Sequence, residues 1–170
     1  MKSNRSDNIT SLFWTGATAG LAGGLAEVAW ISSLATSGGT PVVEVARGVT
    51  ASIAPFLAAT SSGILVGLVV HLALAVALGA VMLLLWGMVL RDHVSSWWDA
   101  SLVHAALTVV WAVNFHVILP VLNPGFLGLV PPGLGLASKL LFALAFLAAL
   151  QIIRRREANS NLSFRYAKGL

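Results

Sequence analysis

The chain has 170 residues, of which 58% are hydrophobic and only 9% charged, with a formal net charge of +4. Apolar side chains in that proportion exceed what one small soluble core can bury, which excludes an ordinary soluble domain and implies a membrane protein. Cysteine is absent, which excludes disulfides, thiolate zinc sites and iron–sulfur clusters and leaves any metal to His, carboxylate or carbonyl ligands.

Crossing roughly 30 Å of hydrocarbon takes about 20 helical residues, and four apolar runs are long enough: about 10–35, 63–90, 100–122 and 137–153. They predict an all-α integral membrane four-helix bundle forming a single membrane domain over 1–170, with a basic cytoplasmic tail at 154–170. The first run follows Lys2 and Arg5, as a signal peptide would, but it is too long for an h-region, contains Glu27 and lacks a clear small-x-small cleavage site. It reads as a retained span. Within it "GATAGLAGG" repeats Gly16, Gly20 and Gly24 at every fourth residue, a glycine zipper that lets a neighbouring helix approach closely.

The next segment, "SGGTPVVEVARGVTASIAP", offers Thr40 as an N-cap and Pro41 as a first helical residue. Val42, Val45, Val49 and Ile53 follow at near-helical spacing, with Glu44 and Arg47 placed to pair at i, i+3. A short outer amphipathic helix is expected, with a re-entrant segment as the alternative. Span two is longer than a bilayer needs and should tilt. Trp86, Trp97 and Trp98 around "RDHVSSWWD" mark an interface, and His93 in that loop is read as solvated. After span three, "NPGFLGLVPPGLGLASK" is too rich in Gly and Pro to be regular and should lie on the outer surface as an apolar lid. Span four ends in Arg154, Arg155 and Arg156, a topogenic run that meets anionic headgroups and not nucleic acid.

Four spans put both termini and the loop between spans two and three on one side. That side carries Lys2, Arg5, Arg91, Arg154, Arg155, Arg156, Arg165 and Lys168, leaving Arg47 and Lys139 for the other. The positive-inside rule then makes both termini cytoplasmic.

With that orientation Glu27, His71 and His116 each lie about six to eight residues from the outer ends of spans one, two and three, at one depth. Gly67, His71, Ala75 and Gly79 form a small-residue stripe on span two, and His104, Thr108, Ala112, His116 and Pro120 form a row on span three. Pro120 lacks an N–H, so the carbonyl of His116 is freed at the helix kink; Asn114 points away by about 160°. Two imidazoles and a carboxylate match the ligand set of non-haem iron and some zinc sites, so Glu27, His71 and His116 are candidate metal ligands. A b-type haem between His71 and His116 is a second option, although the paired-histidine helices of quinol cytochromes are missing. Proton or ion movement is a third, with His104 as a relay toward the inner face. No nucleophile constellation, HExxH, phosphate-binding loop or GxSxG elbow is present, so no catalytic residue is assigned and an enzyme ranks last.

The segments "AGLAGGLAEVAW", "GLVVHLALAVALG", "NFHVILPVLNPGFLGLVPP" and "QIIRRR" resemble the YagU-like family of small bacterial inner-membrane proteins. The resemblance implies a four-span inner-membrane protein with a Glu, His, His pattern at Glu27, His71 and His116; the first outer loop is shorter and differently composed. It supplies no reaction. The expectation is therefore a multi-pass membrane protein, in contact with the lipid bilayer, whose buried site handles protons or binds a metal. The rival is a structural or assembly subunit docking onto a larger membrane complex or onto copies of itself.

Overall fold

The computed structural model describes residues 5–36, 41–89 and 96–167, and all of its regular structure is helical. Helix α1 spans Arg5–Thr36, α2 Val42–Ala51, α3 Pro55–Ala58 and α4 Gly63–Val89. Then come α5 at Ser96–Val113, a π-helical turn at Asn114–Ile118, α6 at Leu119–Leu122, α7 at Phe126–Leu129 and α8 at Pro132–Ala167. Thr40, Arg91 and His93 lie outside the described residues.

Among the described residues, three stretches are long and apolar enough to cross a membrane: Gly63–Gly87, Ala100–Leu122 and Pro132–Glu157. Helix α1 is long but not among them, because its glycines, threonines, serines and Glu27 dilute its apolar content. The dilution has a packing cause. Helix α1 contacts both α4 and α8, and a helix covered on two faces by protein needs small residues there more than greasy ones. A Cβ on Gly20 would meet the backbone of Ala75 and Gly79, and one on Gly23 would lie 2.8 Å from the Phe142 ring.

The packing order is α4 on α1, α1 on α8, and α8 on α5, with α2 laid across α4. Helices α4 and α5 meet less closely than these neighbours do. One core lies between α1, α4, α5 and α8, where Phe142 and Phe146 stack at 6.2 Å among Ala19, Ala75, Leu83, Val103 and Leu107. A smaller core of Phe115, Leu119 and Val130 sits toward the α2 end. Since lipid tails are as apolar as these side chains, close packing more than hydrophobic transfer holds the helices together.

The connecting segments are more regular than their composition implies. Helix α8 starts at Pro132, five residues before the expected boundary at Ala137, because proline suits a first helical position and Gly135 is held small by the Phe115 ring. It also runs on through Arg154–Arg156 to Ala167. Pro41 precedes α2 with an extended ψ of 133° instead of opening it. Arg47, expected to pair with Glu44, donates instead to the carbonyls of Ala58 and Thr60, at 2.6 and 2.9 Å, closing the end of α3. Thr50, fully buried, donates to the Gly63 carbonyl at 2.5 Å and so fixes α2 to the start of α4.

Candidate functional site: a buried carboxylate beside a cavity

Glu27 sits nine residues before the end of α1, His71 eight after the start of α4 and Lys139 seven after the start of α8. At about 1.5 Å per residue each is about 10–14 Å from the α2 end of its helix, so all three share a level. Glu27 is only 3% exposed. Its Oε1 accepts from Lys139 Nζ at 2.7 Å and from Ser138 Oγ at 2.9 Å, while Oε2 accepts from Lys139 Nζ at 2.9 Å. Lys139 lies 5.8 Å from the centre of the Phe142 ring, whose negative face adds a favourable contact for the ammonium. A carboxylate removed from water needs this company, because an unpaired buried charge costs several kcal/mol.

His71 completes the group from the other side. Its Nε2 is 3.7 Å from Glu27 Oε2, beyond hydrogen-bonding distance, and has no hydrogen-bond partner although the atom is buried. The stripe around His71 explains how the ring reaches this place. Gly67 faces the Ala46 carbonyl of α2, and Ala75 and Gly79 face Gly20 of α1, so the ring lies where α4 meets both helices.

The group borders a cavity of about 680 Å³. Glu27, His71, Ser138 and Lys139 gather at one part of its wall, Ser52 and Asn114 are its other hydrogen-bonding side chains, and the rest is apolar. Helix α2, Phe126 and Val130 border the α2 end of this space. Asn123 secures that end by donating to the Gly48 carbonyl at 3.0 Å and to Ser52 Oγ at 3.2 Å. The indole of Trp111 donates to the Pro132 carbonyl at 2.9 Å, tying α5 to the start of α8.

The structure brings Glu27 and His71 together and leaves His116 apart. His116 is exposed, does not line the cavity, and meets Trp111 edge-on at 5.3 Å between centroids. The inward row on this helix is Val103, Leu107, Trp111, Phe115 and Leu119, one residue away from the row containing both histidines. A row at i+4 drifts by about 40° per step in a regular α-helix. The π turn at Asn114–Ile118, just before Pro120, accommodates the residue that cannot donate and corrects the drift, so Phe115 stays inward and His116 does not. His104 is likewise apart, with Nδ1 on the Ala100 carbonyl of its own helix at 2.7 Å. Among the described residues no group of three His, Cys, Asp or Glu side chains is gathered closely enough to hold a metal ion.

Lys139 and Ser138 are the residues that sequence reasoning missed. The sequence reading counts Lys139 only among the outer-side charges, at the expected start of span four. The signal was present, since a lysine near a span containing an otherwise unpaired Glu invites pairing. Comparison with known proteins yields no family-model match, no similar curated protein and no similar solved structure.

Proposed function

We propose that the chain is a four-span membrane protein of the YagU-like kind, resident in a bacterial inner membrane, whose Glu27, Lys139 and His71 handle protons at the cavity wall. Helix α1 has 32 residues, about 48 Å at 1.5 Å per residue, and lies between two helices that are apolar enough to cross, which supports a fourth span. Ionisable residues within spans are costly and mark sites or pathways.

The observation that carries the reading is the unpaired Nε2 of His71, 3.7 Å from a carboxylate that two other side chains hold in place. Lys139 and Ser138 fix Glu27 so that Oε2 faces the ring. A proton taken up by His71 would then lie beside a fixed anion, and a small shift of the ring would close the gap to a charge-assisted hydrogen bond. Among the described residues no third His, Cys, Asp or Glu joins Glu27 and His71, and the proton reading rests on the two that meet.

The test is proton flux in vesicles containing the purified chain under an imposed pH gradient. His71→Phe and the paired change Glu27→Gln with Lys139→Met should each lower flux at least fivefold. Flux equal to that of protein-free vesicles, or unchanged in both variants, sinks the reading. A structural subunit is the second reading, favoured by the exposed apolar residues of α4 and α5. Cross-linking that captures self-association together with absent flux would support it.

A further inference from the structure

The cavity has a volume of about 680 Å³, within the roughly 300–1,000 Å³ range of small-molecule sites and far above the space of one water. Its wall includes α4 and α5, which share the core at Leu83 and Leu107 but meet less closely than either meets its main neighbour. Two of its lining residues, Leu74 on α4 and Val109 on α5, are 64% and 61% exposed. Both lie in stretches apolar enough to cross the membrane. Exposed apolar residues of both helices thus border the cavity, so a molecule entering between them would come from the lipid phase.

The polar groups define the head of such a molecule. Glu27, Lys139 and Ser138 already satisfy one another. The buried group left without a partner on this wall is His71 Nε2. A hydroxyl fits it, because a hydroxyl both donates and accepts and so pairs with either tautomer of the ring. The head should be neutral as well: the carboxylate and ammonium balance each other, and a further charge among apolar walls would have no counter-ion. We propose that the cavity beside α4 and α5 binds a neutral hydroxyl-headed lipid, its chain along the apolar wall and its hydroxyl on Nε2 of His71, which a rotation of the part-exposed ring turns from beside Glu27 to the cavity face. The proposal uses the same residues as the proton reading but needs no proton transfer.

The experiment uses the full chain in lipid nanodiscs, with a long-chain alcohol carrying a diazirine in its chain as the probe. Hexadecanol, hexadecane and hexadecylammonium compete at equal membrane mole fraction. Labelling should map to residues 68–78 of α4, 109–113 of α5 and the π turn at 114–118, and hexadecanol should compete at least tenfold better than the alkane or the ammonium. In His71→Phe that advantage should fall to within twofold while labelling persists. Val113→Trp, which fills the space without touching the charged group, should abolish labelling in protein that remains monodisperse. Equal competition by alcohol and alkane in the unmodified chain overturns the proposal. So does labelling confined to other helices, or a second copy cross-linked through a cysteine at position 113 that excludes the probe. Loss of proton flux with the Glu27 and Lys139 pair replaced, while the alcohol advantage persists, separates the two readings. Flux that never existed leaves the binding result standing on its own.

Discussion

Lys139 decides what Glu27 can be. The pair is nearly buried, and its members are held at 2.7 Å, so removing one partner strands the other charge in an apolar setting. Lys139→Met should therefore destabilise the protein by about 3–5 kcal/mol. Replacing Glu27 by Gln in the same chain should recover most of that loss, because no charge is then left alone. Unfolding of the purified protein in mixed micelles measures both, and equal loss in the single and double variants would contradict the pairing. At this scale the sequence revealed Glu27 and His71 as intramembrane ionisable residues at one depth. It concealed the depth of Lys139, which reads as the edge of a span beginning near Ala137, whereas Pro132 opens the helix and sets the lysine about two turns inside it. His116 was lost to a shift of one residue around the axis, which depth arguments cannot detect.

Helix α1 shows how glycine spacing becomes contact. A Cβ on Gly16 would lie 2.9 Å from Ala80 Cα, and one on Gly20 would lie 2.9 Å from Gly79 Cα. These are backbone atoms that cannot rotate aside, so the two helices would have to separate. Gly20→Ala should cost about 1–3 kcal/mol, as overpacking does. Gly133→Ala, where nothing lies within 4 Å of the added carbon, should be neutral or slightly stabilising, in keeping with alanine's higher helix propensity. The same unfolding assay ranks the two, and comparable losses would mean that α1 and α4 do not meet as described. The three strongly apolar stretches were legible from residue type alone. The π turn was not: Pro120 signals a disturbance, but whether the helix kinks or widens depends on which side chain its neighbours require inside, here Phe115 against Gly135.

The arrangement of α4, α1, α8 and α5 joins the two remaining questions, how many spans there are and which way they face. Sequence alone counted Arg47 and Lys139 as the charges opposing the cytoplasmic set. In the folded chain neither is a free surface charge, for Lys139 is spent on Glu27 and Arg47 on the end of α3. The positive-inside rule weighs Lys and Arg whatever they later pair with, so the expected cytoplasmic side of Arg154–Arg156 rests on the residue count alone. Because the chain has no cysteine, single cysteines report sidedness without background. Ile53→Cys, on the exposed surface after α2, should react with a membrane-impermeant maleimide in intact cells. Asn159→Cys, exposed on α8 beyond the arginines, should react only after permeabilisation. Asn8→Cys, near the start of α1, decides the count. If α1 crosses, it behaves like position 159, and the carboxylate of Glu27 reaches the cavity from within a true span. If it reacts in intact cells, α1 does not cross, and the buried pair lies in a helix folded back against three spans.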